Sequence, residues 1–334
     1  MAKLERIVNS LNLFIAICSA ALCGGSAEAA ISKTSGVARK PVIIAVIDTG
    51  IDAKHSAIVK YLWKKPGAKN AEYGWDFVLN KANPGDTNGH GTHIAGIISG
   101  AAKAEPDLLA IGKNIKLMAL RFYSENSTDA DVIENTAKAV DYAIENGAHI
   151  INYSAGGSTF SQSELKAFAR AEERGILVVA AAGNKSKNAD VEKNRFFPAS
   201  YGFENMISVA ALNPEEELVA SSNWGPKTVH IAAPGENIRS TLPGGKYGYL
   251  TGTSQGAAFV TRVAALLMAT EPSLRGKPLA TKAIILESAK KISELESRIA
   301  SGGRLDANAA LEAVAGLAKP IVLTDRIPAA GLAR

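Results

Sequence analysis

Cysteine is almost missing from this chain. Its 334 residues contain two, Cys18 and Cys23, and both fall within the first 23 positions. If that segment is removed, no disulfide can form and stability must come from a packed core. With no cysteine left, and no Glu placed as in an HExxH pattern, His90 and His93 give a zinc site only weak support. Aromatics are scarce at 6%, and no Lys/Arg run interleaves with them, so nucleic-acid binding is unsupported. The formal charge of +5 is modest and spread out. No apolar run suits a membrane span, since residues 11–22 are too few and are interrupted by Asn12 and Ser19. Neither GxxxxGK[ST] nor a GxGxxG after the first strand occurs, which sets aside a nucleotide-binding α/β protein.

The N-terminal segment reads as an export signal. Lys3 and Arg6 precede the apolar stretch, and Ala27-Glu28-Ala29 has the form of a cleavage site. Residues 1–29 are therefore expected to be a signal peptide, and the protein secreted or periplasmic. A rival is lipid anchoring through Cys23, which Gly24-Gly25-Ser26 follows, although Leu22 is large for that processing. Residues 30–40 form a short extension and residues 317–334 a tail.

From Pro41 onward, strand and helix signals alternate. Residues 42–47 are continuously apolar and end at Asp48, as in a parallel strand buried on both faces. Strands are predicted over 116–122, 149–153, 176–181, 206–211 and 229–232, with helices over 130–145 and 164–174. This pattern argues for an α/β fold with a doubly wound, mostly parallel sheet and helices on both faces. No Pro/Gly/Ser-rich linker and no internal repeat divides residues 41–316, so a single domain is expected there.

Several residues fall where such folds do chemistry, at strand C-termini and helix N-termini. Asp48 ends the first strand. The Asp48-Thr49-Gly50 triplet also marks aspartic proteases, but no second copy occurs here. His90 opens a helix rich in small residues, while His93 points elsewhere and is read as structural. His55, His149 and His230 have no motif around them. Ser154 and Asn184 follow strands, and the Asn184 amide could donate to an oxyanion. Ser254 begins a segment that is apolar on nearly every face through Ala269. A buried helix that gives its first turn to Gly, Thr and Ser makes sense if it holds Ser254 where free N–H groups stabilise negative charge.

Taken in order, VIDTGID at 46–52, NGHGTHIAGII at 88–98, AAGN at 181–184 and GTSQGAA at 252–258 resemble the subtilisin-like serine peptidases. The resemblance extends through Ser154-Ala155-Gly156-Gly157, Phe197-Pro198-Ala199, Ala233-Pro234-Gly235 and Gly303-Arg304-Leu305-Asp306. It implies an exported endopeptidase in which Ser254 attacks the scissile carbonyl, His90 is base and then acid, and Asp48 orients the imidazole. Asn184 and the Ser254 N–H would hold the oxyanion, and Ser154, Ala155 and Gly156 would pair with an extended polypeptide substrate. The alternative is a catalytically silent peptide-binding relative, although all four catalytic positions are kept. The protein is expected to work as a monomer.

The chain departs from the family pattern near the site. Gln255 replaces the usual Met, Ala258-Phe259 the usual Pro-His, and Arg262 a usual Gly. Ala155 stands where Leu is common. Phe196 aligns roughly with the base of the S1 pocket, where a ring would favour small or medium P1 side chains. No cofactor is implied. The Ser56-Ala57-Ile58 sequence lacks the family's calcium Asp, and residues 101–107 do not resemble its calcium loop, so no structural calcium is expected. The dozen residues before the first strand are too few for the propeptide domain of many relatives, which suggests unaided folding or a partner encoded elsewhere.

Overall fold

The computed structural model describes residues 40–101 and 114–317. The expected signal peptide, both cysteines, most of the extension, the tail and much of the loop compared with the calcium loop lie outside the described residues. Twelve strands are present among those described. They are β1 (Val42–Asp48), β2 (Gly74–Asp76), β3 (Lys81–Ala82), β4 (Ile115–Arg121), β5 (Ile150–Tyr153), β6 (Leu177–Ala181), β7 (Met206–Leu212), β8 (Ile231–Pro234), β9 (Ile238–Leu242), β10 (Lys246–Leu250), β11 (Lys290–Lys291) and β12 (Gly303–Arg304). The helices are α1 (His90–Ser99), α2 (Asp129–Glu145), α3 (Gln162–Glu173), α4 (Thr253–Thr270), α5 (Pro278–Glu287) and α6 (Ala307–Leu317).

Ten strands form one sheet in the order β11-β12-β8-β7-β6-β5-β1-β4-β2-β3, parallel except for β11 and β3 at the edges. The central strands read as apolar runs because helices cover both faces. In β1 every residue but Ile43 is buried. Strand order reverses around β1, with β4 and β2 on one side and β5 to β8 on the other. The crevice at such a switch point is where open α/β sheets place ligands. Asp48 and Ser154 both lie on that rim.

Each face has its own core. Ile44, Val46, Leu117, Ile150 and Val179 pack with α1, α4 and α6, whereas Ile47, Met118, Ile151 and Val178 pack with α2 and α3. Helix α4 is buried at every residue except Phe259 and Thr270, as its all-round apolar sequence requires. Helix α2 opens with a reciprocal cap, in which Asp131 N donates to Thr128 Oγ1 at 3.2 Å and Thr128 N donates to Asp131 Oδ2 at 2.9 Å.

The sequence-predicted elements fall within one or two residues of the observed ones. The strand predicted from Val229 begins at Ile231, because Val229 N closes a turn onto Gly225 O instead of joining the ladder. The β9–β10 hairpin, a separate two-stranded sheet, has no counterpart among the sequence-predicted elements. It braces α1 from outside the main sheet, with Ser240 Oγ donating to His93 O at 2.7 Å and Thr241 Oγ1 to Thr92 O at 2.8 Å.

Candidate active site

Asp48 and His90 meet because a strand end and a helix start are pressed together. A Cβ at Gly91 would lie 2.1 Å from Gly50 O and 3.1 Å from Asp48 Cβ, so only glycine permits the approach. His90 Nδ1 then sits 2.8 Å from Asp48 Oδ1. That oxygen also accepts from Thr49 N at 2.8 Å, and Asp48 is only 2% exposed. Burial alone would lower the His90 pKa below its ordinary 6.5. The hydrogen-bonded Asp48 carboxylate and the charge of Asp86 together outweigh burial, and the net shift is upward.

Asp86, which sequence reading did not single out, organises this corner. Its Oδ1 accepts from Gly89 N at 2.8 Å, Asn88 N at 3.0 Å and Thr49 Oγ1 at 3.0 Å, while its Oδ2 accepts from Thr92 N at 2.9 Å and Thr92 Oγ1 at 2.6 Å. Gly89, the N-cap of α1, has no side chain to cap with, and Asp86 supplies the missing acceptors from three residues upstream. An acid three residues before a glycine at the N-cap position was the available signal.

Ser254 is the second residue of α4 and is 7% exposed. Its hydroxyl donates to Ser154 O at 2.8 Å, and among the described residues no hydrogen bond joins it to His90. Ser154 Oγ donates to Ser254 O at 3.1 Å and accepts from Asn152 Nδ2 at 2.9 Å, and Thr261 Oγ1 donates to Asn152 Oδ1 at 2.8 Å. Neither Asn152 nor Thr261 belongs to a motif in the sequence. Asn184 is exposed, and its Oδ1 accepts from Thr253 N at 2.9 Å and Thr253 Oγ1 at 3.1 Å. With the oxygen engaged there, Asn184 Nδ2, which has no hydrogen-bond partner among the described residues, keeps its N–H donors for another acceptor.

The proposed substrate strand lies alongside. Ala155 and Gly156 have no backbone hydrogen bond to other described residues, which leaves their polar groups available to an extended chain. Gly157 pairs with Phe197 in both directions, at 3.0 and 2.8 Å, and the Phe197–Pro198 peptide is cis. The Phe196 ring lies between Gly156 and Gly183. A Cβ at Gly156 would be 2.4 Å from Phe196 Cε1, and one at Gly183 would be 2.8 Å from Phe196 Cγ.

Histidines outside this group are structural. His93 is fully buried with Nε2 2.9 Å from Ile238 O, and His55 Nε2 lies 3.1 Å from Lys246 O. Arg262, one of the departures, is buried and donates from Nη1 to Ile98 O at 3.3 Å, tying α4 to the last turn of α1. Among the described residues no group of three or more His, Cys, Asp or Glu could hold a metal ion.

A sequence model of the subtilase family matches residues 39–309. The chain belongs to the subtilase family. Among relatives, this subtilase is 36% identical over 224 residues to a thermophilic serine proteinase of Bacillus sp. (strain AK1), covering 67% of this chain and 51% of that protein. It is 36% identical over 238 residues to subtilisin-like protease 2 of Plasmodium falciparum, covering 70% of this chain and 17% of the relative. The chain therefore spans about half or less of these two relatives. The crystal structure of a cold-adapted subtilisin-like serine proteinase superposes with a TM-score of 0.64 at 27% identity, covering 78% of this chain and 88% of that one. Within this subtilase fold, the β1 end, the α1 start, the loop after β6 and the α4 start converge on one rim.

Proposed function

We propose that this subtilase is an exported serine endopeptidase that hydrolyses polypeptides through an acyl-enzyme. The observation that carries the reading is the 2.8 Å contact of buried Asp48 with His90, on the rim where α4 presents Ser254. His90 Nε2 takes the Ser254 proton as Oγ bonds to the scissile carbonyl carbon, and Asp48 stabilises the resulting imidazolium. The oxyanion is held by Asn184 Nδ2 and the Ser254 N–H. His90 then gives its proton to the leaving amine as the C–N bond breaks. Water, deprotonated by His90, attacks the ester, and the Ser254 alkoxide leaves and recovers the proton. The resting hydroxyl, turned to Ser154 O, must swing toward His90 when substrate binds; catalytic hydrogen bonds commonly tighten only in the complex.

Ser154, Ala155 and Gly156 would receive the substrate backbone. The Phe196 ring would make the first pocket shallow, so a peptide with P1 Phe should not be the best substrate of an Ala, Leu and Phe series. The protein would act as a monomer without nucleic acid or cofactor, and export would depend on residues 1–29. No helix among the described residues is long and apolar enough to cross a membrane. Ser56 and Ala57 offer no carboxylate after His55, so no structural calcium would be held at that position.

Fluorophosphonate labelling of the mature protein, followed by intact mass and peptide mapping, tests the reading. A single adduct on Ser254, lost in His90→Ala, is expected. A folded protein that takes no adduct would support the silent peptide-binding alternative.

A further inference from the structure

A cavity of about 530 Å³ runs from the substrate strand at Gly156 and Gly157 to the Phe196 ring. Four cations line it: Lys185, Lys187, Lys193 and Arg195. All four are exposed, and none forms an ion pair with any described residue. Elsewhere on this surface, Arg170, Lys290 and Arg304 do find carboxylates. The lining contains two acidic side chains, Asp129 and Glu164. Glu164 is buried and accepts from Tyr201 Oη at 2.6 Å through its Oε2, while Asp129 is exposed, so the four cations outnumber the two carboxylates of the lining.

The backbone that carries two of these cations is pinned. Asn223 Oδ1 accepts from Lys185 N at 3.1 Å and Lys187 N at 3.0 Å, while Asn223 Nδ2 donates to Ala182 O at 2.8 Å. Between them, Ser186 N donates to Ser221 O at 2.8 Å and Ser186 Oγ to Ala220 O at 2.6 Å. The backbone from which Lys185 and Lys187 extend is therefore held in place before any ligand arrives, and only their exposed side chains need ordering on binding.

Their position relates to the chemistry. Lys185 directly follows Asn184, and the carbonyl that Asn184 would hold belongs to the P1 residue. Phe196, packed on Gly183, neighbours Arg195 in sequence. A P1 side chain would thus leave the scissile carbonyl toward the ring and meet the cations around it. We infer that Lys185, Lys187, Lys193 and Arg195 select substrates with a carboxylate side chain, Asp or Glu, at P1. Such side chains also suit a pocket that Phe196 makes shallow. Opposite charges at a subsite steer and discriminate, and the discrimination weakens as salt screens exposed charges beyond about 10 Å at 0.1 M.

This inference rests on the endopeptidase reading, and the experiment separates the two. Peptides identical except for P1 Glu or Gln, and P1 Asp or Asn, are compared by kcat/KM with the mature protein at low and high salt, alongside fluorophosphonate labelling. The expected result is a preference for each acid over its amide of about tenfold or more at low salt, shrinking at high salt. In the double variant Lys193→Gln, Arg195→Gln the ratio should fall toward one. Cleavage of the Gln and Asn peptides as fast as their acids would overturn the inference and leave the endopeptidase reading standing. Absence of both cleavage and labelling would overturn that reading and the inference with it.

Discussion

Ser254 and Ser154 are joined twice: the Ser254 hydroxyl donates to the Ser154 carbonyl at 2.8 Å, and the Ser154 hydroxyl donates to the Ser254 carbonyl at 3.1 Å. The second bond is the end of a line that starts on the same helix, through Thr261 and Asn152. Helix α4 is thereby clamped at two points seven residues apart, at Thr261 to Asn152 of β5 and at Ser254 to Ser154 just after it. The clamp fixes where the backbone of the proposed nucleophile sits relative to the proposed substrate strand.

Thr261→Val tests the clamp. The valine keeps the shape but leaves buried Asn152 Oδ1 without its donor, a loss of roughly 1–3 kcal/mol. Urea denaturation should show that loss. If the line positions Ser254, the fluorophosphonate labelling rate should also drop, and Thr261→Ser should restore both.

The acid limb of kcat/KM should have its midpoint above 6.5. His90 must be neutral to act as a base, and Asp48 and Asp86 outweigh burial in favouring its charged form, so activity is lost as pH falls through a raised pKa. Asp48→Asn should cost about 10⁴ in kcat. Among surviving turnovers, the midpoint should move down, because burial then acts with less opposition. A midpoint unchanged by that substitution would argue that another group controls the profile.

Asn184→Ala should reduce kcat roughly 10² to 10³-fold with a smaller change in KM, since the developing oxyanion needs the amide more than the ground state does. Ser254→Ala should cost on the order of 10⁶. Single-turnover kinetics on one peptide would read both.

A second pair contributes to the pH dependence of stability. His230 Nδ1 accepts from Ser208 N at 2.9 Å, while Nε2 lies 3.0 Å from Lys282 Nζ, which donates to Met206 O at 2.7 Å and Glu204 O at 3.2 Å. Burial, then the Lys282 charge, pulls His230 down to about 3, and burial pulls Lys282 down to about 8 against the opposing charges of Glu204 and Glu172. Both folded values lie below the unfolded ones. The unfolded chain therefore binds the extra proton, and stability should fall as pH drops from about 6.5 toward 3. His230→Gln should flatten that slope in urea midpoints measured at pH 7 and pH 4.5.

Addition of a chelator should leave the melting temperature unchanged. A fall of several degrees, reversed by calcium, would show that a metal site exists after all.

The sequence by itself determined the layers of this protein and the kinds of residue on its rim. Apolar runs of strand length, separated by amphipathic helices, admit little besides a parallel sheet covered on both faces, and Asp48, His90, Asn184 and Ser254 fall at the ends of those runs. These features are local, so a linear reading finds them. Only the tertiary structure decided what each polar side chain touches. Asp86 serves α1 from outside it, Thr261 reaches Asn152 across 109 positions of chain, and the β9–β10 hairpin steadies α1 from a separate sheet. The cations near Phe196 read as scattered surface charge until the loop after β6 brought them around one cavity. Hydrogen bonds and charge fields depend on distance in space, and no sequence period encodes a distance that folding sets between residues far apart in the chain.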